Sequence, residues 1–164
     1  MKTTTDWNIL IQGYMSLIWC QESTKPENQN KKVSELLSEF QKRNNGVLPL
    51  NIGSMLSAAY ICFMYPQQSE FDELDFSAID TSCFSIKLGK KNDSKYICRR
   101  IRNSLAHAHF EIFNSSFRFL DQTSQGKDRF EAEIKIKDFG SFLNDFFHIS
   151  KNQSFNQTDK GQPL

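Results

Sequence analysis

After the fourth helical segment the hydrophobic period of this chain changes from that of a helix to that of a strand, and that change limits what it can fold into. Over about 6–21, 33–40, 52–65 and 95–108 the apolar residues recur every three or four positions; over 117–119 and 130–137 they recur every second one. A helix returns a side chain to the same face after 3.6 residues and a strand after two, so helices are expected first and a strand pair later. Trp7, Leu10, Ile11, Tyr14, Met15, Leu17 and Ile18 follow the cap candidates Thr5 and Asp6 and predict a first helix over about 6–21, with Met15 read as core. Residues 22–32 are polar, contain Pro26 and read as a loop. Val33, Leu36, Leu37 and Phe40 predict a second amphipathic helix, closed by Asn44-Asn45-Gly46. A third, over about 52–65, is apolar nearly all round and stops before Pro66. Its apolar run is well short of the about 20 residues a membrane span needs, so it reads as a buried core helix.

Residues 67–91 show no sustained period. Glu70, Asp72, Glu73, Asp75 and Asp80 read as a solvated acidic loop, which could instead contact a basic partner or balance the basic segment, and Lys87-Leu88-Gly89-Lys90-Lys91 as a basic turn. Asp93 or Ser94 caps a fourth helix over about 95–108. Phe117-Arg118-Phe119 and the alternating residues 130–137 flank Thr123-Ser124-Gln125-Gly126-Lys127-Asp128, a β-hairpin with one buried face. Residues 110–113 offer a short further strand. Asp138 caps a last helix burying Phe139, Phe142, Leu143 and Phe146, and the polar tail from Lys151 is expected to fray. The expectation is a mainly α fold, a bundle of four to five helices with a β-hairpin inserted after the fourth. Residues 1–150 form a single domain in this reading, and 151–164 a flexible C-terminal tail.

Composition sets limits on function. Fifteen Phe in 164 residues argue against disorder. Twenty basic against 19 acidic residues, a net charge of +1, exclude a polycation that coats nucleic acid by charge alone, yet leave room for a local basic face. Cys20, Cys62, Cys83 and Cys98 make no CxxC and no zinc-spaced cluster with His. The first residues lack the apolar core of a signal peptide. Reduced thiols, a cytoplasmic protein and no membrane partner are expected.

Chemistry concentrates in the fourth helix. Its apolar stripe is Ile97, Cys98, Ile101 and Leu105; the opposite sector holds Arg99, Arg102, Asn103, Ala106 and His107. Arg102 and His107 can therefore border one cleft, while His109 falls near the Cys98 edge. Arg offers a planar fork suited to a phosphate, and His gives and takes a proton near neutral pH. Asn adds an amide that orients either one. These parts suffice to cleave RNA without a metal: a 2′-hydroxyl is deprotonated and attacks the adjacent phosphate while Arg stabilises the growing charge. The same residue types on a solvated helix face are the commoner case. If residues 107–111 were extended, His107, His109 and Glu111 would share one strand face as metal ligands, although no further ligand set is apparent. His148 reads as packing or surface.

Ile-Arg-Asn-Ser-Leu-Ala-His, residues 101–107, resembles the Arg-Asn-x-x-x-His signature of the HEPN superfamily. The order of elements around it agrees, because one prokaryotic group, including plasmid-borne members, follows the motif helix with a hairpin and a closing helix. The resemblance implies a HEPN-like bundle and a metal-independent endoribonuclease of toxin–antitoxin or phage-defence systems. No metal and no cofactor are implied. It also implies a homodimer with one composite site, RNA as substrate and a cognate antitoxin protein as a partner. Carried onto this chain, Arg102 would hold the scissile phosphate, His107 would act as general base or acid, and Asn103 would orient them. Arg99, one turn away, is added from helix geometry and is not a family residue, and Lys95 is added from the basic run Lys87, Lys90, Lys91, Lys95, Arg99, Arg100 and Arg102, which would steer an RNA backbone to the motif. In HEPN toxins controlled by a nucleotidyltransferase antitoxin the motif continues as His-x-Tyr. His109 stands in that place here, which argues against that mode of control. The alternative function is a non-catalytic HEPN dimerisation or nucleotide-binding module.

Overall fold

The computed structural model describes residues 4–49, 52–123 and 125–158, without the side chains of 4–10 and 154–158. Trp7 and Leu10, expected at helical spacing in the first helix, thus lie outside the described side chains. Among the described residues the helices are α1 (Thr4–Ser23), α2 (Val33–Arg43), α3 (Ile52–Met64), α4 (Gln68–Asp72), α5 (Ser94–Ala106) and α6 (Ile136–Thr158). The strands are β1 (Ser85–Leu88), β2 (Phe110–Phe113), β3 (Ser116–Gln122) and β4 (Arg129–Lys135), joined in one antiparallel sheet of order β1-β4-β3-β2. The fold is therefore α+β, which overturns the mainly α expectation. The expected hairpin is present as β3 and β4 and the expected short strand as β2, but β1 adds a fourth strand and makes a sheet too large to be an insertion in a bundle.

The reason lies in residues 67–91. β1 buries only Ile86 among its four residues, too few to show a period of two. It exists because β4 pairs with it, Ser85 opposite Glu133 and Ile86 opposite Ala132, with a bulge before Leu88. The acidic stretch is not simply a solvated loop either. The Glu70 side chain accepts from the Gln67 N–H and starts the short α4, while Phe71, Phe76 and Ile79 are buried at irregular spacing.

The chain divides into two compact units, Met1–Ala58 and Ala59–Leu164, the division falling inside α3. In the first, Trp19 meets Phe40 edge-on at 5.4 Å, and Leu36 and Phe40 are buried. As the Asn-Asn-Gly string predicts, α2 ends with Asn45 and Gly46 at φ +51° and +80°, and the Gly46 N–H donates to the Gln41 carbonyl at 2.8 Å. On α1, Ile11, Tyr14 and Leu17 leave an apolar stripe on the surface, and Met15, expected in the core, is half-buried.

In the second unit the alternation of β3 and β4 turns Phe117, Phe119, Asp121, Phe130, Ala132 and Ile134 inward. α6 buries Phe139, Phe142, Leu143 and Phe146 as expected, and Phe63 stacks on Phe146 at 4.5 Å. α6 continues to Thr158. α3 buries one face only, since Leu56, Ala59 and Phe63 are inside while Ile61 is exposed; it is not the fully buried core helix expected. Among the described residues no helix is long and apolar enough to cross a membrane.

Candidate functional site

α5 positions the residues of interest. The Asp93 carboxylate accepts from the Tyr96 N–H at 2.9 Å and caps its start. Ile97, Cys98, Ile101 and Leu105 are fully buried, as the stripe predicts. The helix ends one residue before His107. His109 N–H donates to the Ser104 carbonyl at 2.8 Å and Ala108 N–H to that of Leu105 at 3.1 Å, a Schellman closure with Ala108 at φ +54°. The Tyr60 hydroxyl, 2.7 Å from the same Leu105 carbonyl, donates to it as well. His107 is thus an exposed cap residue rather than a helical one. The left-handed turn at Ala108 also prevents residues 107–111 from forming one extended strand.

Asn103, Ala106 and His107 face solvent, as their sector predicts. Arg102 does not. It is only 9% exposed, its guanidinium lies over the Phe71 ring at 4.7 Å, and Nη2 donates to the Pro66 carbonyl at 3.1 Å. Among the described residues Nη1 is buried with no hydrogen-bond partner. Burial lowers the Arg102 pKa from its ordinary value, with the Asp72 charge opposing. A buried cation with an open N–H group is a poor resting state, and an anion would complete it.

Arg102 and Asn103 line a cleft of about 460 Å³ whose walls carry Lys90, Lys95, Arg99 and Arg100, with Tyr96, Asp93 and Asp128. The two candidate substrate residues, Arg99 and Lys95, are there. His107 is not; the ring beside it is His109, at 5.8 Å between centroids. Arg99 forks onto Asp72 at 3.0 and 3.2 Å, and Lys95 donates to the Asp72 carbonyl at 3.1 Å.

Sequence reasoning missed a polar network beneath this face. Arg100, 8% exposed, is paired with Asp121 at 2.7 Å and with Asp128, and lies over the Tyr96 ring at 5.0 Å. Burial works against its charge, but the hydrogen bond to Asp121 and the neighbouring charges outweigh it and raise its pKa. The Tyr96 pKa is also raised, by burial first and then by its hydrogen bond to Asp128. Asp121 accepts in addition from Asn103 Nδ2 at 3.1 Å. One signal was available: Asp121 shares the inward parity of Phe117 and Phe119, and an acid on that face requires buried partners.

A family model described as HEPN pEK499 p136 matches residues 1–157. The chain belongs to this HEPN family. No curated protein and no solved structure matches it. The HEPN match runs from α1 into α6, so the four-stranded sheet lies within the family region, as does the whole of α5.

Proposed function

We propose that this HEPN protein is a metal-independent endoribonuclease of toxin–antitoxin or phage-defence type, acting on RNA as a cytoplasmic homodimer. The observation that carries the reading is the placement of Arg102, Asn103 and His107 at the C-terminal end of α5 in a chain of HEPN family membership. His107 would take the proton of a ribose 2′-hydroxyl, the 2′-oxygen would attack the adjacent phosphorus, and the 5′-oxygen would leave with a proton from an acid group. The products are a 2′,3′-cyclic phosphate and a 5′-hydroxyl. Nη1 of Arg102, buried and without a hydrogen-bond partner among the described residues, is suited to the charge that builds on the phosphate. Lys90, Lys95 and Arg99 on the cleft walls would follow the backbone.

Arg102 lines the cleft and His107 does not, so a second subunit supplying its own pair would bring both groups to one phosphate. The apolar stripe Ile11, Tyr14 and Leu17 on α1 gives such a partner a surface to cover. A cognate antitoxin protein would mask the site. The burial of Arg102 is the observation favouring the alternative, a non-catalytic HEPN dimerisation or nucleotide-binding module.

Cleavage of RNA in EDTA by the wild type and by His107→Ala separates the two. The nuclease reading expects cyclic-phosphate ends from the wild type and a loss of at least about a hundredfold in the variant. No cleavage by either protein supports the module. Sedimentation equilibrium is expected to give twice the 19.1 kDa chain mass; a monomer at working concentration counts against the composite site.

A further inference from the structure

We infer that Asp121 is a positioning residue that fixes which end of the Asn103 amide faces the cleft. Asp121 stands on β3 at 8% exposure, and its Oδ2 accepts from both Arg100 Nη1 and Asn103 Nδ2. Arg100 has a second counter-ion in Asp128, whereas Asp121 is the one side-chain partner of the Asn103 amide among the described residues. A carboxylate paired with an arginine only accepts hydrogen bonds, so the amide must turn its NH₂ group toward it. The amide is planar, and its oxygen is then directed away from Asp121. Asn103 lines the cleft with Arg102, while Asp121 lines the neighbouring cavity of about 630 Å³ that holds His109. The oxygen is therefore the end presented to the cleft.

This orientation has a chemical consequence. An unrestrained surface asparagine offers donor or acceptor with little preference; this one offers an acceptor. Asn103 and His107 lie one helical turn apart, and the His107 N–H donates to the Asn103 carbonyl at 3.0 Å. In the cleft that acceptor takes a hydrogen bond from the 2′-hydroxyl of a ribose flanking the scissile one and holds the chain in register, leaving the proton of the attacking hydroxyl to His107. The substrate this favours is a ribose chain rather than a deoxyribose one. The kinetic half of this inference rests on the nuclease reading; the amide orientation does not.

Two measurements test it. In the ¹H–¹⁵N spectrum of the wild type, assigned with Asn103→Ala, one Asn103 Nδ2 proton is expected downfield of the free side-chain amides and slow to exchange with water. Asp121→Ala, which removes the acceptor, should return it to the free position. A wild-type resonance already at the free position overturns the inference and needs no variant at 121. In RNA cleavage, Asp121→Ala should lower kcat about tenfold with KM within about twofold, the loss expected for one hydrogen bond to a charged group. On an Asn103→Ala background the same change should cost nothing further. Additive losses, or an equal rise in KM, overturn the positioning role. A wild type that cleaves no RNA yet shows the locked amide would sink the nuclease reading and leave the orientation standing.

Discussion

Arg99 and Arg100 are neighbours of identical chemistry, and the fold gives them opposite situations. Arg99 is half-exposed and meets Asp72 at the surface, where an ion pair is worth about 1 kcal/mol or less. Arg100 is buried between Asp121, Asp128 and the Tyr96 ring. Replacing it with Met removes the main counter-ion of a buried carboxylate, which is expected to cost about 3 kcal/mol. Urea unfolding of Arg100→Met and Arg99→Ala checks this; equal losses would show that the inner pair has no special standing. Nothing local in Arg-Arg separates the two. The difference was legible only through the strand parity of Asp121, some twenty positions downstream.

Among the elements, α5 ends in an unusual way. The left-handed position of a Schellman closure is ordinarily glycine, because a Cβ crowds the carbonyl there, and this chain places Ala108 in it. Ala108→Gly is expected to stabilise the protein by about 1 kcal/mol, with the flexibility of glycine in the unfolded chain offsetting part of the relief. A lower melting temperature for the variant would refute that account. The missing glycine is also why the sequence extends the helix through His107: no stop signal is written at its end. α2, with Asn44-Asn45-Gly46, ends where its sequence says. The long periodic elements were legible in the same way, whereas β1 and α4, each with a single buried anchor, were not.

At the scale of the molecule, charge is separated along the chain and then recombined. Asp72 from the acidic stretch binds Arg99 and Asp128 from the hairpin loop binds Arg100, so a net charge of +1 conceals specific pairing around one cleft. Several acids are stabilised in their charged form. Asp72 is held below the ordinary carboxylate range first by Gln68 and then by Arg99, Asp75 and Asp80 by Ser77 and Ser82, and Glu39 by Lys31. Their folded pKa values lie below the unfolded ones, so as pH falls the unfolded chain takes up protons first. This contribution is complete above the unfolded values, near about 4, and is lost as pH drops through them toward the folded ones. The urea midpoint should therefore fall between pH 7 and pH 3, and an unchanged midpoint would contradict the pairing.

By itself the sequence determined the long helices, the hairpin, the buried stripe of α5 and the likeness of residues 101–107 to a HEPN signature. Each is a local record, since a repeated period states which face of an element avoids water. Tertiary structure decided the rest: the pairing that makes β1 a strand, the seat of Arg102 on Phe71, and the meeting of Arg100 and Asn103 on Asp121. These contacts join segments remote along the chain. A buried cation takes the carboxylate or ring that the fold brings to it, and no period along the sequence carries that information.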